Sequence, residues 1–585
     1  MEKALRIGGS SAAERNTLTS ADEPALHPRD RISSLEWAGT LATIYLTGII
    51  NGMPPPRPCQ SISPECPQKQ LPAPAFQHTA DPDRGFDVSN VANIQPRLYE
   101  VFGHIELLPW IGLSYSLANF ATLAIARAIL YCFDMRWVYI VSLVVFLAGA
   151  AMAGAAQAIS TVIAGRAVMG IGGSICQHCA TSYLAIYARP AKDPILYAVL
   201  SGLWAVGLAV GGPVGSAFSE NSSLTWRWAF YINLPFLGLA FASALKWLPS
   251  ERLVTDLPLC RRLARVDVLG IILQISATVL FAVAGTLSGP VWAWGSPSSA
   301  AAWSAFGVVF IVWALQQYYC VLTTAHRRVF PAHILRNREL LFLWVGSACA
   351  GATYAVALYY MPLFLAFTRG LGALEQTERV LPFILTFIAT VLIVGGCLFR
   401  IGWYKLIYVI GGAATLAAGA ALAMTLEPDT PEPTVMGLAA LVGFGLGLHF
   451  QHGTAISNVI TKGSYGRAES VAIFNMALMG GISMTLVIAG AIYENRGFSL
   501  LSSALGREGY DEHDIREALS GVVSTAWRSS DPYAMGKGVE AASEAIALNF
   551  WLIASSGAVC LACGLWMRWE KLGDGLPKED GNAEV

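Results

Sequence analysis

An arginine stands inside an apolar run of the chain, in Gly165-Arg166-Ala167-Val168-Met169-Gly170-Ile171-Gly172-Gly173. A charge at membrane depth is costly, so such a residue has a polar partner or serves a path through the membrane. The guanidinium keeps its proton at ordinary pH and cannot itself carry one. Its fixed charge can bias a nearby acid or a bound solute. Asp87 is the nearest candidate acid, provided it lies in the first apolar segment. The plainer alternative is an arginine that packs helices together, its donors satisfied by backbone carbonyls. Other polar side chains at depth are His178, directly after Gln177, and the pair His449 and His452, which flank Gln451 and are spaced i, i+3 on one helix face. These histidines either line a cavity as pH-sensitive or solute-binding groups, or hydrogen-bond between helices. Too few ligands converge for a metal site. No Gly-x-x-x-x-Gly-Lys-Ser/Thr run occurs, which argues against an ATP-driven pump and predicts no cofactor. Trp204, Tyr354, Tyr359, Tyr360 and Phe474 can line an apolar pocket or serve as packing aromatics.

The elements that must position these residues are membrane helices. Of 585 residues, 55% are hydrophobic and 13% charged, about half the charged share of an average soluble protein. A net charge of -1 points to no nucleic-acid partner. The eleven cysteines are dispersed, mostly through apolar segments, and suggest neither a disulfide nor a zinc framework. Segments of about 20 apolar residues each cross a bilayer. Fourteen are expected, at 36–53, 108–130, 137–157, 160–187, 195–219, 228–248, 267–288, 300–322, 340–366, 380–399, 404–426, 434–458, 468–493 and 546–568. The loops holding Arg189, Lys192, Arg261, Arg262, Arg265, Arg327, Arg328, Arg400 and Lys405 then share one side, which is cytoplasmic by the positive-inside rule and carries both termini. The expected location is multi-pass in a membrane, the plasma membrane.

The expected organisation is a disordered tail at 1–35, a six-helix half at 36–248, a linker with two helices at 249–322, a second six-helix half at 323–570 and a tail at 571–585. The basic linker 249–266, with its spaced leucines, fits an interfacial helix on the inner leaflet. An outer loop is expected at 494–545, with a short exposed helix at Asp511-Glu512-His513-Asp514-Ile515-Arg516-Glu517-Ala518-Leu519. Asn221 of Asn221-Ser222-Ser223 falls on the outer face and permits glycosylation. The first span is short and runs into a Pro- and Gln-rich stretch. Omitting 53–85 joins Ile49-Ile50-Asn51-Gly52 to Phe86-Asp87-Val88-Ser89 and restores a full first helix containing Asp87. The stretch is either an insert, such as a retained intron translated in frame, or an ordinary disordered outer loop. Neither has packed structure.

Several runs carry a family likeness: Asn93-Ile94-Gln95-Pro96, Pro109-Trp110-Ile111-Gly112 with Tyr115, and Gly165-Arg166 followed by Gly170 and Gly172. Further along come Gly207, Gly211-Gly212-Pro213 and Gly215, then Trp226-Arg227-Trp228 leading to Ile232-Asn233-Leu234-Pro235. On these residues the chain resembles the fourteen-spanner drug:proton antiporter branch of the major facilitator superfamily, over about 36–52 and 86–570. The resemblance implies an all-α membrane fold of two six-helix halves and a linking pair, working by alternating access. It places proton coupling on Arg166 and the antiporter motif on Gly207, Gly211, Gly212, Pro213 and Gly215. The implied partners are a small amphipathic toxin, drug or secondary metabolite, protons and the lipid bilayer.

One region departs from the family pattern. The loop after the second helix ordinarily carries a Gly-x-Leu-x-Asp-Arg-x-Gly-Arg-like signature that forms an inner gate. Here Ala126 to Trp137 lacks the glycines, and only Arg127, Asp134 and Arg136 keep the charges. The expected gate is therefore differently built. A siderophore-iron transporter of the same fold and a non-transporting receptor with a degenerate gate are the alternatives. An integral membrane enzyme would need a polar catalytic cluster at one membrane face, which the sequence does not offer.

Overall fold

The computed structural model describes residues 28–50, 102, 108–189, 192–220, 226–254, 257–325, 327–371, 373–461, 463–505, 510–520 and 532–572. The described chain is overwhelmingly helical, and each of the fourteen expected segments falls on helix. We label them α1 (Ser34–Ile50), α2 (Leu108–Cys132), α3 (Met135–Gly154), α4 (Ile159–Tyr187), α5 (Asp193–Glu220) and α6 (Asn233–Trp247). A linking pair follows, α7 (Val268–Leu287) and α8 (Pro297–Tyr319). The series continues with α9 (Arg338–Arg369), α10 (Ala373–Ile401), α11 (Tyr404–Thr425), α12 in two pieces (Glu432–His449 and His452–Ile460), α13 (Ser464–Leu505) and α14 (Pro532–Trp566). Twelve helices among the described residues are long and apolar enough to cross a membrane, while α1 is short and Asp193–Gly207 is a shorter apolar stretch of α5. Asp87, the stretch 53–85, Asn93-Ile94-Gln95-Pro96 and Asn221 lie outside the described residues.

Polar residues set several helix starts. Asp134 accepts from Arg136 N at α3, Asp267 from Gly270 N at α7, and Asn337 from Glu339 N at α9. Each occupies an orphan backbone donor that hydrocarbon could not solvate. The Trp226-Arg227-Trp228 run performs the converse task. Arg227 Nη1 donates to Gly154 O (2.9 Å) and Ala156 O (2.5 Å) at the end of α3, and its guanidinium lies 4.5 Å from the Trp226 ring centroid.

One half packs α4 against α2 and α3, and α6 against α1 and α3. The other packs α11 and α9 on α14, α10 and α11 on α12, and α9 on α13. The close neighbours of α4 are α2 and α3, and its glycines thin those contacts. A Cβ on Gly170 would stand 2.5 Å from Tyr115 O, and one on Gly172 would stand 2.5 Å from Phe146 N. The halves meet along α2 and α4 against α13 and along α5 against α10. On the α5–α10 seam, a Cβ on Gly395 would collide with Ala198. Small residues let backbones touch where apolar burial gives no drive toward association.

Helix α7 leans on α2 and α13, and α8 packs mainly on α7; α8 exposes Val308, Phe310, Ile311 and Leu315. An apolar, outward face on a peripheral helix suits lipid. At the far end, 494–545 is not a simple loop. With 42 residues, α13 continues to Leu505, a length of about 63 Å against a core of about 30 Å. The short helix Glu512–Ser520 folds back on that extension, burying Ile515, Ala518 and Leu519, and Leu519 O accepts from Tyr493 OH at 3.0 Å.

Candidate functional site

Four polar or aromatic layers lie along the seam between the halves. We call the face bearing the Lys- and Arg-rich loops the basic face. Both ends of the described chain reach it, Asp30 within 3.5 Å of Arg189 and Leu572 N bonded to Gly402 O at 2.9 Å.

The layer farthest from the basic face holds Arg166. Its side chain is fully buried, its Nε donates to Ile111 O at 3.2 Å, and its guanidinium lies 4.7 Å from the centroid of the Tyr115 ring. Gly170 lets α4 come close enough to α2 to bring those partners within reach. Of the antiporter motif, Gly207 and Gly211 are buried on α5, and Gly212, Pro213 and Gly215 continue the same helix.

At mid-depth four aromatic rings meet across the seam. Trp204 of α5 faces Tyr354 of α9 (ring centroids 5.2 Å apart) and Phe450 of α12 (5.6 Å). Phe450 stacks on Tyr354 at 5.6 Å and meets the edge of Phe387 of α10 at 5.1 Å. Trp204 is half-buried while the other three are buried. It lies eleven residues into α5, or about 16 Å from the basic-face end. Tyr354 and Trp204 were among the aromatics the sequence offered for a pocket; Tyr359 instead pairs with Tyr360, and Tyr360 with Tyr493.

Phe450 reaches this cluster because α12 breaks. The helix stops at His449, Gln451 takes a left-handed conformation (φ 53°), and the helix resumes at His452. His449 and His452 therefore do not share one helix face, since the break intervenes between them. His449 turns into its own half, its ring 6.2 Å from Tyr408 of α11. Both histidines are buried. An unwound helix at membrane depth is tolerated where protein or a cavity surrounds it.

A polar layer lies between the aromatics and the basic face. Asn475 Nδ2 of α13 donates to Thr181 Oγ1 (3.0 Å) and stands 3.4 Å from His178 Nδ1, both on α4. Tyr197 OH of α5 donates to Thr181 O (2.7 Å) and accepts from Asn458 Nδ2 of α12 (3.2 Å). His178 thus touches the other half, whereas the neighbouring Gln177 is half-buried and takes part through its carbonyl, which accepts from Thr181 Oγ1 at 2.9 Å.

The last layer, on the basic face, closes the seam with charge. Arg127 of α2 pairs with Glu469 of α13, and His333 Nε2 stands 3.2 Å from the other carboxylate oxygen. Arg127 Nη1 also donates to Arg328 O at 2.7 Å, and Arg467 of α13 donates to Ala185 O of α4 at 3.3 Å. Of the three expected gate residues, only Arg127 crosses between halves. Asp134 caps α3, accepts from Ser250 Oγ and stands 3.7 Å from Arg252 Nε, and Arg136 donates to Leu245 O. These last contacts fasten α3 to the end of α6 within one half. The sequence reading missed Glu469 and His333. Glu469 carried a usable signal, a lone acid near the start of an apolar span; His333 sits in a connecting segment and carried none.

Comparison with known proteins bears on this arrangement. The family described as Major Facilitator Superfamily matches residues 84–486. The efflux pump alnA of Emericella nidulans is 31% identical over 489 residues, covering 83% of this chain and 88% of that protein. The efflux pump patC of Aspergillus clavatus is 29% identical with the same coverage, and DEP3 of Fusarium langsethiae, also an efflux pump, is 31% identical over 76% of this chain and 80% of its own. Among solved structures, the human organic anion transporter MFSD10 superposes with a TM-score of 0.51 at 13% identity, over 89% of this chain and all of that one. That likeness supports the fold alone.

Proposed function

This chain belongs to the major facilitator superfamily and is a secondary transporter of the fungal efflux type, and on that premise we propose that it exports a small amphipathic secondary metabolite in exchange for protons. The observation that carries the substrate class is the four-ring cluster of Trp204, Tyr354, Phe387 and Phe450, contributed by both halves at mid-depth. Aromatic faces favour flat, weakly polar solutes, and Trp204, half-buried, is the ring such a solute meets first. A site built across the seam changes its exposure whenever the halves rock. The basic face is assigned to the cytoplasm and the membrane to the plasma membrane. The Arg127–Glu469 bridge then shuts the cytoplasmic side, and loading requires that it part.

Arg166 is assigned the coupling role, since its fixed charge on the far side of the cluster holds a neighbouring acid ionised until a proton or solute competes. Asp87 remains the proposed acid. His178, bonded across the seam beside Asn475, is proposed to respond to that same movement rather than to bind a solute directly.

The test is proton-gradient-driven uptake of a panel of aromatic metabolites into inside-out vesicles, whose outward face is the cytoplasmic one. Trp204→Ala is expected to lower transport about tenfold or more by loss of ring contact, with Trp204→Phe keeping most of it. Arg166→Ala is expected to leave expression normal and uncouple transport from the gradient. Unchanged transport in Trp204→Ala overturns the assigned substrate site, and unchanged coupling in Arg166→Ala overturns the role given to the arginine.

A further inference from the structure

On the basic face a pocket opens between α2, α4, α13 and the start of α7, enclosing about 610 Å³ with its mouth included. It reaches inward to His178, about 13 Å along α4 from Tyr187. Its charged walls carry Arg127, Arg265, Arg327, Asp267 and Glu469. The two carboxylates are occupied. Glu469 holds Arg127 and His333, while Asp267 accepts from Gly270 N, Gln316 Nε2, Gln317 Nε2 and Val329 N at 2.9–3.2 Å. Arg265 and Arg327 are half-buried, and among the described residues neither guanidinium has a hydrogen-bonding or ion-pair partner. Two half-buried guanidiniums facing one pocket are a receptor for an oxyanion that can take paired N–H donors.

The surroundings say what carries the oxyanion. Arg265 lies two residues beyond the short linker helix Leu259–Leu263, whose Leu259 and Leu263 are exposed beside Arg261 and Arg262. A segment so patterned lies in the headgroup layer with its leucines in the acyl boundary. The remaining wall is apolar, with Leu253, Ile271 and Val329 among its members. A basic pocket between membrane helices at headgroup level is where phosphorylated lipid headgroups bind.

We propose that this pocket binds the headgroup of an anionic phospholipid carrying a phosphomonoester, with Arg265 and Arg327 as its ligands. The bound phosphate sits beside Arg127 and competes with Glu469 for it. The lipid thereby loosens the bridge that holds the two halves together on this face. The site is independent of which solute is carried.

The test uses the full chain in phosphatidylcholine nanodiscs, titrated with short-chain phosphatidylinositol 4-phosphate, with unphosphorylated phosphatidylinositol and with free inositol bisphosphate. The phosphorylated lipid is expected to bind best. Arg265→Gln with Arg327→Gln is expected to weaken it about thirtyfold, roughly fivefold for each arginine near the surface. Arg261→Gln, exposed on the linker helix and outside the pocket, is expected to change it little. Should the double variant fail to fold, Arg327→Lys and Arg327→Gln replace it, the first retaining most binding and the second losing it. Binding by the double variant equal to that of the parent overturns the site. An equal loss in Arg261→Gln overturns the pocket in favour of diffuse surface attraction. Free inositol bisphosphate binding as tightly as the lipid overturns the lipid as its occupant.

Discussion

Glu469→Gln isolates the bridge on the basic face. The carboxylate is 7% exposed and its partner Arg127 is 13% exposed, so solvent screens the pair weakly. A hydrogen bond to a charged group contributes about 1.5–3 kcal/mol net. Glutamine keeps the shape and can still accept from Arg127, so the loss belongs at the low end, about 1.5 kcal/mol. The bridge spans α2 and α13, one from each half, and cannot persist once this face opens. Its loss therefore falls on the closed arrangement and shifts the closed-to-open ratio about tenfold. The contacts of Asn475 with Thr181, of Asn458 with Tyr197 and of Arg467 with Ala185 remain, which keeps the shift from running further. Glu469→Ala would cost more, about 3–5 kcal/mol, because it leaves Arg127 buried without a counter-charge.

The readout is the rate at which a membrane-impermeant maleimide, added from the basic face, labels Ala468→Cys. Ala468 lines the basic-face pocket and is 6% exposed, and a Cys260→Ser background removes the one exposed native thiol among the described residues. Labelling is expected to rise about tenfold in Glu469→Gln. Exchanging the charges, with Arg127→Glu and Glu469→Arg together, should bring the rate back toward that of the parent. A change below about twofold, in a variant that still folds, refutes the bridge as a gate; the energy would then be too small to move the equilibrium.

Two further substitutions test how the site is held. Gly170→Ala places a methyl group 2.5 Å from Tyr115 O and 3.0 Å from Ala118 Cβ. Overpacking of this kind costs about 1–3 kcal/mol, so a lower thermal midpoint by tryptophan fluorescence is expected; an unchanged midpoint would mean the α2–α4 contact is slack. Asp267→Ala removes the cap of α7, takes one acceptor each from Gln316 and Gln317 and leaves the backbone N–H of Val329 without its acceptor, a loss of at least about 2 kcal/mol. Faster limited proteolysis between residues 320 and 337 is the expected sign, and an unchanged digestion pattern would show that the segment is held elsewhere.

The helices were legible because membrane burial writes itself into composition over about twenty consecutive residues, and Arg166 was legible because one charge in such a run is conspicuous. Contacts between distant helices leave no such trace. His449 and His452 look like neighbours on one face until Gln451 adopts a left-handed conformation, a single-residue event that periodicity cannot register. Asp134 and Arg136 look like gate charges because of their loop, yet their partners Ser250, Arg252 and Leu245 lie more than a hundred positions away in the same half. Trp204 and Phe450 are ordinary aromatics of apolar segments, and only the seam makes them one surface.

The loop after α2 lacks the family's glycines, and of the expected gate residues Arg127 makes the contact that crosses the seam. With Asp134 and Arg136 tied to the end of α6, the loop between α2 and α3 is pinned within one half and has no free charge to offer the other. The crossing falls to Arg127, about one turn and a half before α2 ends at Cys132 and correspondingly deeper. A deeper pair is better shielded and stronger, but it is also reachable from the basic-face pocket it lines, which a loop-surface pair would not be. Arg328 and His333 bring the segment after α8 to the same spot, and that segment is knotted to α7 and α8 through Asp267. On the proposed lipid site, a force exerted on the linking pair would reach the bridge through these contacts. The proposal thus gives α7 and α8 a part in controlling the bridge, although they take no part in the four-ring cluster.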